Sequence, residues 1–225
     1  MGDAFSAIGA LADPLRRRLY AFVAGRDDGV GREEAAREVG VATHTARFHL
    51  DKLVEEGLLT VDHRRLSGRS GPGAGRPAKV YRRSDTEVAV SLPERGYELV
   101  GHVFAAAVEK SLDGAPLTEA LAAVAREAGR RDGTAYDGDE GGELERSADV
   151  LSGRGFEPTQ DGDGLVLRNC PFDALAREHT ALVCGVNRDY VGGVLEGLGC
   201  EHTAARLDPG PERCCVRVEG STAGS

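Results

Sequence analysis

Three features predict an α+β protein: two short helical segments about a glycine turn, two strand-like runs joined by a basic Gly/Pro-rich loop, and five cysteines confined to the chain after residue 169. The expected architecture is an N-terminal winged helix-turn-helix, central dimerisation helices and a small C-terminal α+β domain. The expected boundaries are 1–84 for the DNA-binding domain, 85–132 for the helical dimerisation region, 133–142 for a linker and 143–225 for the cysteine-containing domain.

Asp13-Pro14 predicts a helix start, with Asp as N-cap and Pro where its missing N–H does no harm. Leu15, Leu19, Phe22 and Val23 then recur at helical spacing. A second helix runs over 31–39 and is stopped by Gly40, a suitable C′ residue. A third begins at Thr43 with Ala46, Leu50, Leu53 and Val54 as its apolar stripe, and Gly57 ends it. Residues 58–66 and 78–83 read as strands, and the stretch 67–77 between them is too rich in Gly and Pro for anything but a loop. The later helix is the expected reader and the hairpin its wing.

Charge points the same way. Residues 1–83 carry 15 Lys and Arg against 11 Asp and Glu, a net of +4, while the remainder carries 13 against 26, for the overall −9. An acidic bulk with a basic head concentrates polyanion binding on the head. From Arg64 to Arg83 there are seven basic residues (Arg64, Arg65, Arg69, Arg76, Lys79, Arg82 and Arg83) and no acidic one. Such a strip suits a phosphate backbone. The rival reading is a winged helix used for protein contacts, with a charge run that is merely solvated.

Three blocks of this head resemble the ArsR-type winged-helix repressors: residues 10–20 around Asp13-Pro14, residues 45–59, and Gly75-Arg76-Pro77 followed by Tyr81. The resemblance covers roughly residues 5–84 and implies a homodimer on a partly palindromic double-stranded DNA operator. By position in the reading helix, Thr43, His44, Thr45 and Arg47 are the expected groove contacts, with Arg64, Arg65, Arg69 and Arg76 on the backbone. Phe48 is either a groove residue or core, and His49 either a groove residue or packed against the backbone, so neither is counted as a base reader. Metal-sensing members of that group often carry ligands in or beside the helix-turn-helix; this head has no cysteine, so any sensing is expected downstream.

In the middle, 88–90 reads as a short strand, Pro93 and Pro116 as openers of two apolar helices, and His102 as a core or interface histidine. The helices are expected to join protomers, because a reader of symmetric sites needs a dimer. The acidic, glycine-rich stretch 133–142 reads as a linker. The longest apolar run, 99–108, is about half of what a membrane span needs, and no leader is visible, so a cytoplasmic protein with no membrane association is expected. In a reducing cytosol, metal or redox chemistry then outranks a disulfide framework.

The cysteines fall at Cys170, Cys184, Cys200, Cys214 and Cys215, with gaps of 13, 15 and 13 residues before the adjacent pair. No C-x-x-C pair is present, which disfavours a zinc finger or a dithiol oxidoreductase. Wide gaps place the thiols on successive elements that converge only on folding. Soft thiolates suit zinc, Cu(I) or an iron–sulfur cluster. Expected elements are a helix over 143–151, strands over 156–158 and 165–168, a helix from Phe172 to about Leu198, and strands near 204–207 and over 214–219. On that last strand Cys214 and Cys215 would point to opposite faces, leaving open which of them serves a shared site.

Residues 169–184, the helix ending in Gly197-Leu198-Gly199 and the terminal Cys-Cys are similar to the C-terminal domain of SufR-type regulators, iron–sulfur-sensing repressors. That resemblance implies Cys170, Cys184 and one of Cys214 or Cys215 as cluster ligands, with Cys200 either a fourth ligand or incidental and His179 in reserve. The expected function is a non-enzymatic repressor whose DNA affinity is set by the cluster. Its rivals are the same regulator with structural zinc, a metal-free thiol switch, and a cysteine-dependent enzyme, for which no Cys–His pairing motif is present.

Overall fold

The computed structural model describes residues 4–64, 78–138, 141–210 and 213–220. The chain divides into two compact units, Met1–Val90 and Ser91–Ser225. The mixed α+β class is as expected.

The first unit runs α1 (Ala4–Ala10), α2 (Pro14–Ala24), β1 (Val30–Gly31), α3 (Arg32–Val39), α4 (Thr43–Glu55), β2 (Leu59–Arg64) and β3 (Ala78–Arg83). Asp13 caps α2 as anticipated, its Oδ1 accepting from the Leu15 and Arg16 amides at 2.8 and 3.0 Å. Gly40 ends α3 at φ 71°, a conformation costly for any residue with a Cβ. Leu19, Val23, Ala35, Ala46, Leu50, Leu53 and Tyr81 build the core, so three helices close over a three-stranded antiparallel sheet in the order β1-β3-β2. Two elements have no counterpart in the sequence reading. One is α1, whose Ala7 and Ala10 face inward while Phe5 and Ile8 are exposed. The other is the two-residue β1. Residues 88–90 form no strand; Val88 packs on the core as irregular chain.

The second unit runs α5 (Tyr97–Leu112), α6 (Leu117–Thr134), α7 (Glu143–Ser152), β4 (Pro158–Asp161), β5 (Gly164–Leu167), α8 (Asp173–Glu178), α9 (Thr180–Gly197), β6 (Thr203–Leu207) and β7 (Val216–Gly220). Its four strands are antiparallel in the order β4-β5-β7-β6. One apolar core joins Val100, Val103 and Ala107 of α5 and Leu121, Ala125 and Ala128 of α6 to Phe156, Val191, Val194, Val216 and Val218. The boundary expected at 133–142 is therefore not where the compact units part: the central helices and the cysteine-bearing elements share a core. The physical reason is glycine. A Cβ at Gly129 or Gly133 of α6 would collide with the Tyr190 or Val194 carbonyl, and one at Gly193 or Gly197 of α9 with the Arg126 or Arg130 carbonyl. The two backbones thus pack at a distance that only glycine allows.

Three further expectations are corrected. The helix after Pro93 starts at Tyr97, four residues later. The helix drawn from Phe172 to Leu198 is broken at His179 (φ −127°, ψ 46°) into α8 and α9. The last strand begins at Val216, not Cys214.

Candidate nucleic-acid interface and cysteine site

The reading helix α4 buries Ala46, Leu50 and Leu53 and turns Thr43, His44, Arg47 and Phe48 outward, with Thr45 half-buried. Phe48 is 66 % exposed, which settles it as surface. Ala42 precedes the helix and has no acceptor, so the first-turn N–H groups have no side-chain cap, the usual arrangement for meeting an anion. One turn further, Asp51 fixes α4 against the wing. Its Oδ1 accepts from Lys79 Nζ and from Tyr81 Oη, each at 2.8 Å. Burial alone would raise the Asp51 carboxyl, but these hydrogen bonds outweigh it and hold the group below its ordinary value. Burial and the same bond push the Tyr81 hydroxyl up, keeping it a donor.

The basic strip is only partly free. Lys79 is committed to Asp51, and Arg82 donates to the Asp27 and Asp28 carbonyls at 2.7 and 2.8 Å. Both belong to the basic strip and act as braces within the unit. Arg83 is exposed. Arg64 closes β2 opposite Ala78; Arg65, Arg69 and Arg76 lie outside the described residues.

In the second unit four of the five cysteines converge, although 45 positions separate the first from the last. Cys184, on the first turns of α9, is bonded to Cys215, with Cα atoms 6.3 Å apart. Cys170, between β5 and α8, stands beside Cys214. The expectation that disulfides rank last is thus corrected for one pair. So is the expectation that Cys214 and Cys215 face apart: both precede β7, where strand alternation does not apply. Cys214 N donates to the Leu167 carbonyl at 2.9 Å and Asp208 N to the Cys215 carbonyl at 2.8 Å, fixing this turn to both flanking strands. Cys214 is buried and Cys215 half-buried.

In the Cys170–Cys214 pair the interaction between the two thiols acts first: it lowers Cys170 from its ordinary value and, together with burial, pushes Cys214 up. Asn187, three residues beyond Cys184 and on the same helix face, donates Nδ2 to Cys214 Sγ at 3.1 Å. Asn187 is fully buried and its Oδ1 has no partner among the described residues. Sequence reasoning missed Asn187, although the i, i+3 spacing from Cys184 was a usable signal.

Cys200 belongs elsewhere. It lies past the far end of α9, where its amide turns back to the Leu195 carbonyl at 3.0 Å, with its Sγ 3.8 Å from Ser147 Oγ; Cys184 to Leu195 alone spans about 16 Å of helix axis. His179 is exposed at the α8–α9 break, and His102 is exposed on α5 beside Glu98; neither is in the cluster.

With Cys184 and Cys215 bonded, no group of three or more His, Cys, Asp or Glu among the described residues is arranged to hold a metal ion. The donor chemistry nonetheless fits a soft centre once that bond is reduced: four sulfurs from three segments, a buried N–H aimed at one of them, and an orphaned buried carbonyl beside it.

Among the described residues no helix is long and apolar enough to cross a membrane. No curated protein and no solved structure matches the chain. The family model of a helix-turn-helix domain matches residues 11–62, the span from α2 into β2. That match places a helix-turn-helix domain in the first unit and supports a DNA-binding transcription regulator rather than an enzyme.

Proposed function

We propose that the chain is a dimeric repressor whose operator affinity is set by an iron–sulfur cluster held by Cys170, Cys184, Cys214 and Cys215. The observation that carries this reading is the convergence of these four cysteines around Asn187, with Cys200 left apart. Bound there, a cluster would supply one-electron and oxidant-sensitive chemistry at the end of α9 that opens the helix. Cys170, Cys184, Cys214 and Cys215 would hold it as thiolates, and Asn187 would supply an N–H to the Cys214 sulfur. In the first unit Thr43, His44, Thr45 and Arg47 would meet base edges and sugar-phosphate, with Arg83 and the wing arginines on the backbone.

A homodimer is supported by α5. Tyr97, Val108 and Leu112 are exposed, and with the half-buried Phe104 they fall on one stripe at spacings of seven, four and four residues. An apolar stripe on a reader of two half-sites suits a two-fold contact.

The Cys184–Cys215 bond favours a second reading, a metal-free thiol switch. Its formation removes two protons and two electrons, which a peroxide would take up as two molecules of water. Chain purified without oxygen separates the readings. A brown solution absorbing at about 400–420 nm, the region of sulfur-to-iron charge transfer, supports the cluster. A colourless, metal-free solution that forms the disulfide with hydrogen peroxide supports the switch, and a colourless one holding stoichiometric zinc contradicts both.

A further inference from the structure

The chain enters the second unit through Ser91–Gly96, and this segment is bound to the loop that carries Cys170. Arg95 Nη1 donates to Asn169 Oδ1 at 2.9 Å and to the Cys170 carbonyl at 2.7 Å. Asn169 returns the contact, its Nδ2 donating to the Glu94 carbonyl at 3.0 Å and to the Gly155 carbonyl. Gly96 N donates to the Pro171 carbonyl at 3.0 Å, and Gly96 lies so close that a Cβ there would stand 3.0 Å from the Phe172 ring. Asp173 Oδ2 lies 4.0 Å from Arg95 Nη2. Asn169 is 8 % exposed, so its amide is a buried connector rather than a surface contact.

We propose that Arg95 and Asn169 are positioning residues that pass the state of the cysteine site to the segment leading out of the helix-turn-helix unit. This rests on the reading that the cysteine site controls DNA affinity, and names the part that transmits the control.

The physical reason is the shared carbonyl. The Cys170 carbonyl accepts from Arg95 and also from the Asp173 amide that opens α8. An exchange of partner at the Cys170 sulfur that turns its backbone by about 1 Å would take these hydrogen bonds beyond their useful range. The grip is therefore made or lost rather than gradually stretched, as a two-state coupling element requires. Val90 ends the first unit and Ser91 begins the second, so Ser91–Gly96 is the covalent link out of the first unit. Arg95 N donates to Ser91 Oγ at 2.9 Å, which carries the grip to the start of that tether.

The test uses the full chain purified without oxygen, and a duplex selected by the wild-type protein from a random-sequence pool. Dissociation constants are measured before and after hydrogen peroxide, for wild type, Arg95→Gln and Arg95→Lys, with the visible spectrum and thiol count of each sample. Wild type is expected to show a ratio of about fivefold or more between the two states, within the usual span of allosteric coupling. Arg95→Gln should keep the wild-type spectrum, thiol count and melting temperature while its ratio falls to about one, and Arg95→Lys should recover part of the ratio. An Arg95→Gln ratio equal to that of wild type overturns the proposal. So does a variant that no longer assembles the site, because Arg95 would then build it rather than report on it. A wild-type ratio of one removes the regulatory reading itself, a result visible without any variant.

Discussion

The two units solve the same problem, holding a functional element still, by opposite means. In the first, α4 is held by polar contacts: one carboxylate, Asp51, gathers Lys79 and Tyr81 from the wing strand. In the second, α9 is held largely by backbone proximity, with Gly129, Gly133, Gly193 and Gly197 removing the Cβ at the four closest approaches to α6. A polar clamp gives way to pH and charge, whereas the glycine approaches give way to volume, with the Arg126–Glu196 and Arg130–Glu196 pairs exposed at their margin. The difference teaches where each unit can be disturbed without unfolding the other.

The largest effect should come from volume. Gly193→Val places a branched side chain against the Arg126 carbonyl, and because backbone cannot move aside as a side chain can, we expect destabilisation at or above the upper end of the usual overpacking cost, about 3 kcal/mol. Thermal unfolding followed by circular dichroism should show the second unit melting early while the first keeps its own transition. A single unaltered melt would mean that the seam is looser than described.

Next in size is the reading helix. Replacing Arg47, whose side chain is 59 % exposed, with Ala should weaken binding of a selected duplex by about tenfold, within the 1–3 kcal/mol of one good base contact. Fluorescence anisotropy would measure it, and an affinity within twofold of wild type would remove Arg47 from the interface. Thermal stability should not change.

Smaller still is the clamp. Asp51→Asn loses the ionic part of the Lys79 and Tyr81 contacts, and with Asp51 one-third exposed we expect a loss of about 1 kcal/mol at neutral pH. Its pH dependence has a definite sign. The folded Asp51 carboxyl lies below its ordinary value, so its contribution is complete above the unfolded value of about 3.9 and is lost as pH falls through the lower folded value. The first unit of Asp51→Asn should show a shallower loss of stability below about pH 4 than wild type. Acid titrations that superimpose would show that the clamp contributes nothing.

The first unit was legible because its information is local. Asp13-Pro14, Gly40 and Gly57 each fix a helix end by themselves, and the apolar stripe of α4 follows from spacing within thirteen residues. The Asp51 clamp was not legible, since its partners are 28 and 30 residues away on a strand whose pairing depends on the whole fold. The same holds for the cysteines. Their spacing predicted convergence but could not separate Cys200, which the length of α9 carries to the opposite end of the helix. It also misjudged Cys214 and Cys215, because β7 starts two residues later than the alternating pattern implied. The α6–α9 seam escaped notice since glycines inside a helix resemble weak points until their partners across the gap are known, and the central helices were consequently assigned to a separate region.

The central claim is that the state of the cysteine site governs the grip of α4 on DNA. Its most direct test is the dissociation constant of the oxygen-free wild-type chain for its selected duplex, compared with Cys170→Ser prepared in the same way. Cys170 stands beside the buried Cys214 and is the residue gripped by Arg95. The account predicts that wild-type affinity changes by about fivefold or more on exposure to peroxide, and that Cys170→Ser binds with one affinity before and after. Equal affinities for wild type in both states would contradict it and leave a helix-turn-helix protein whose cysteines serve only its core.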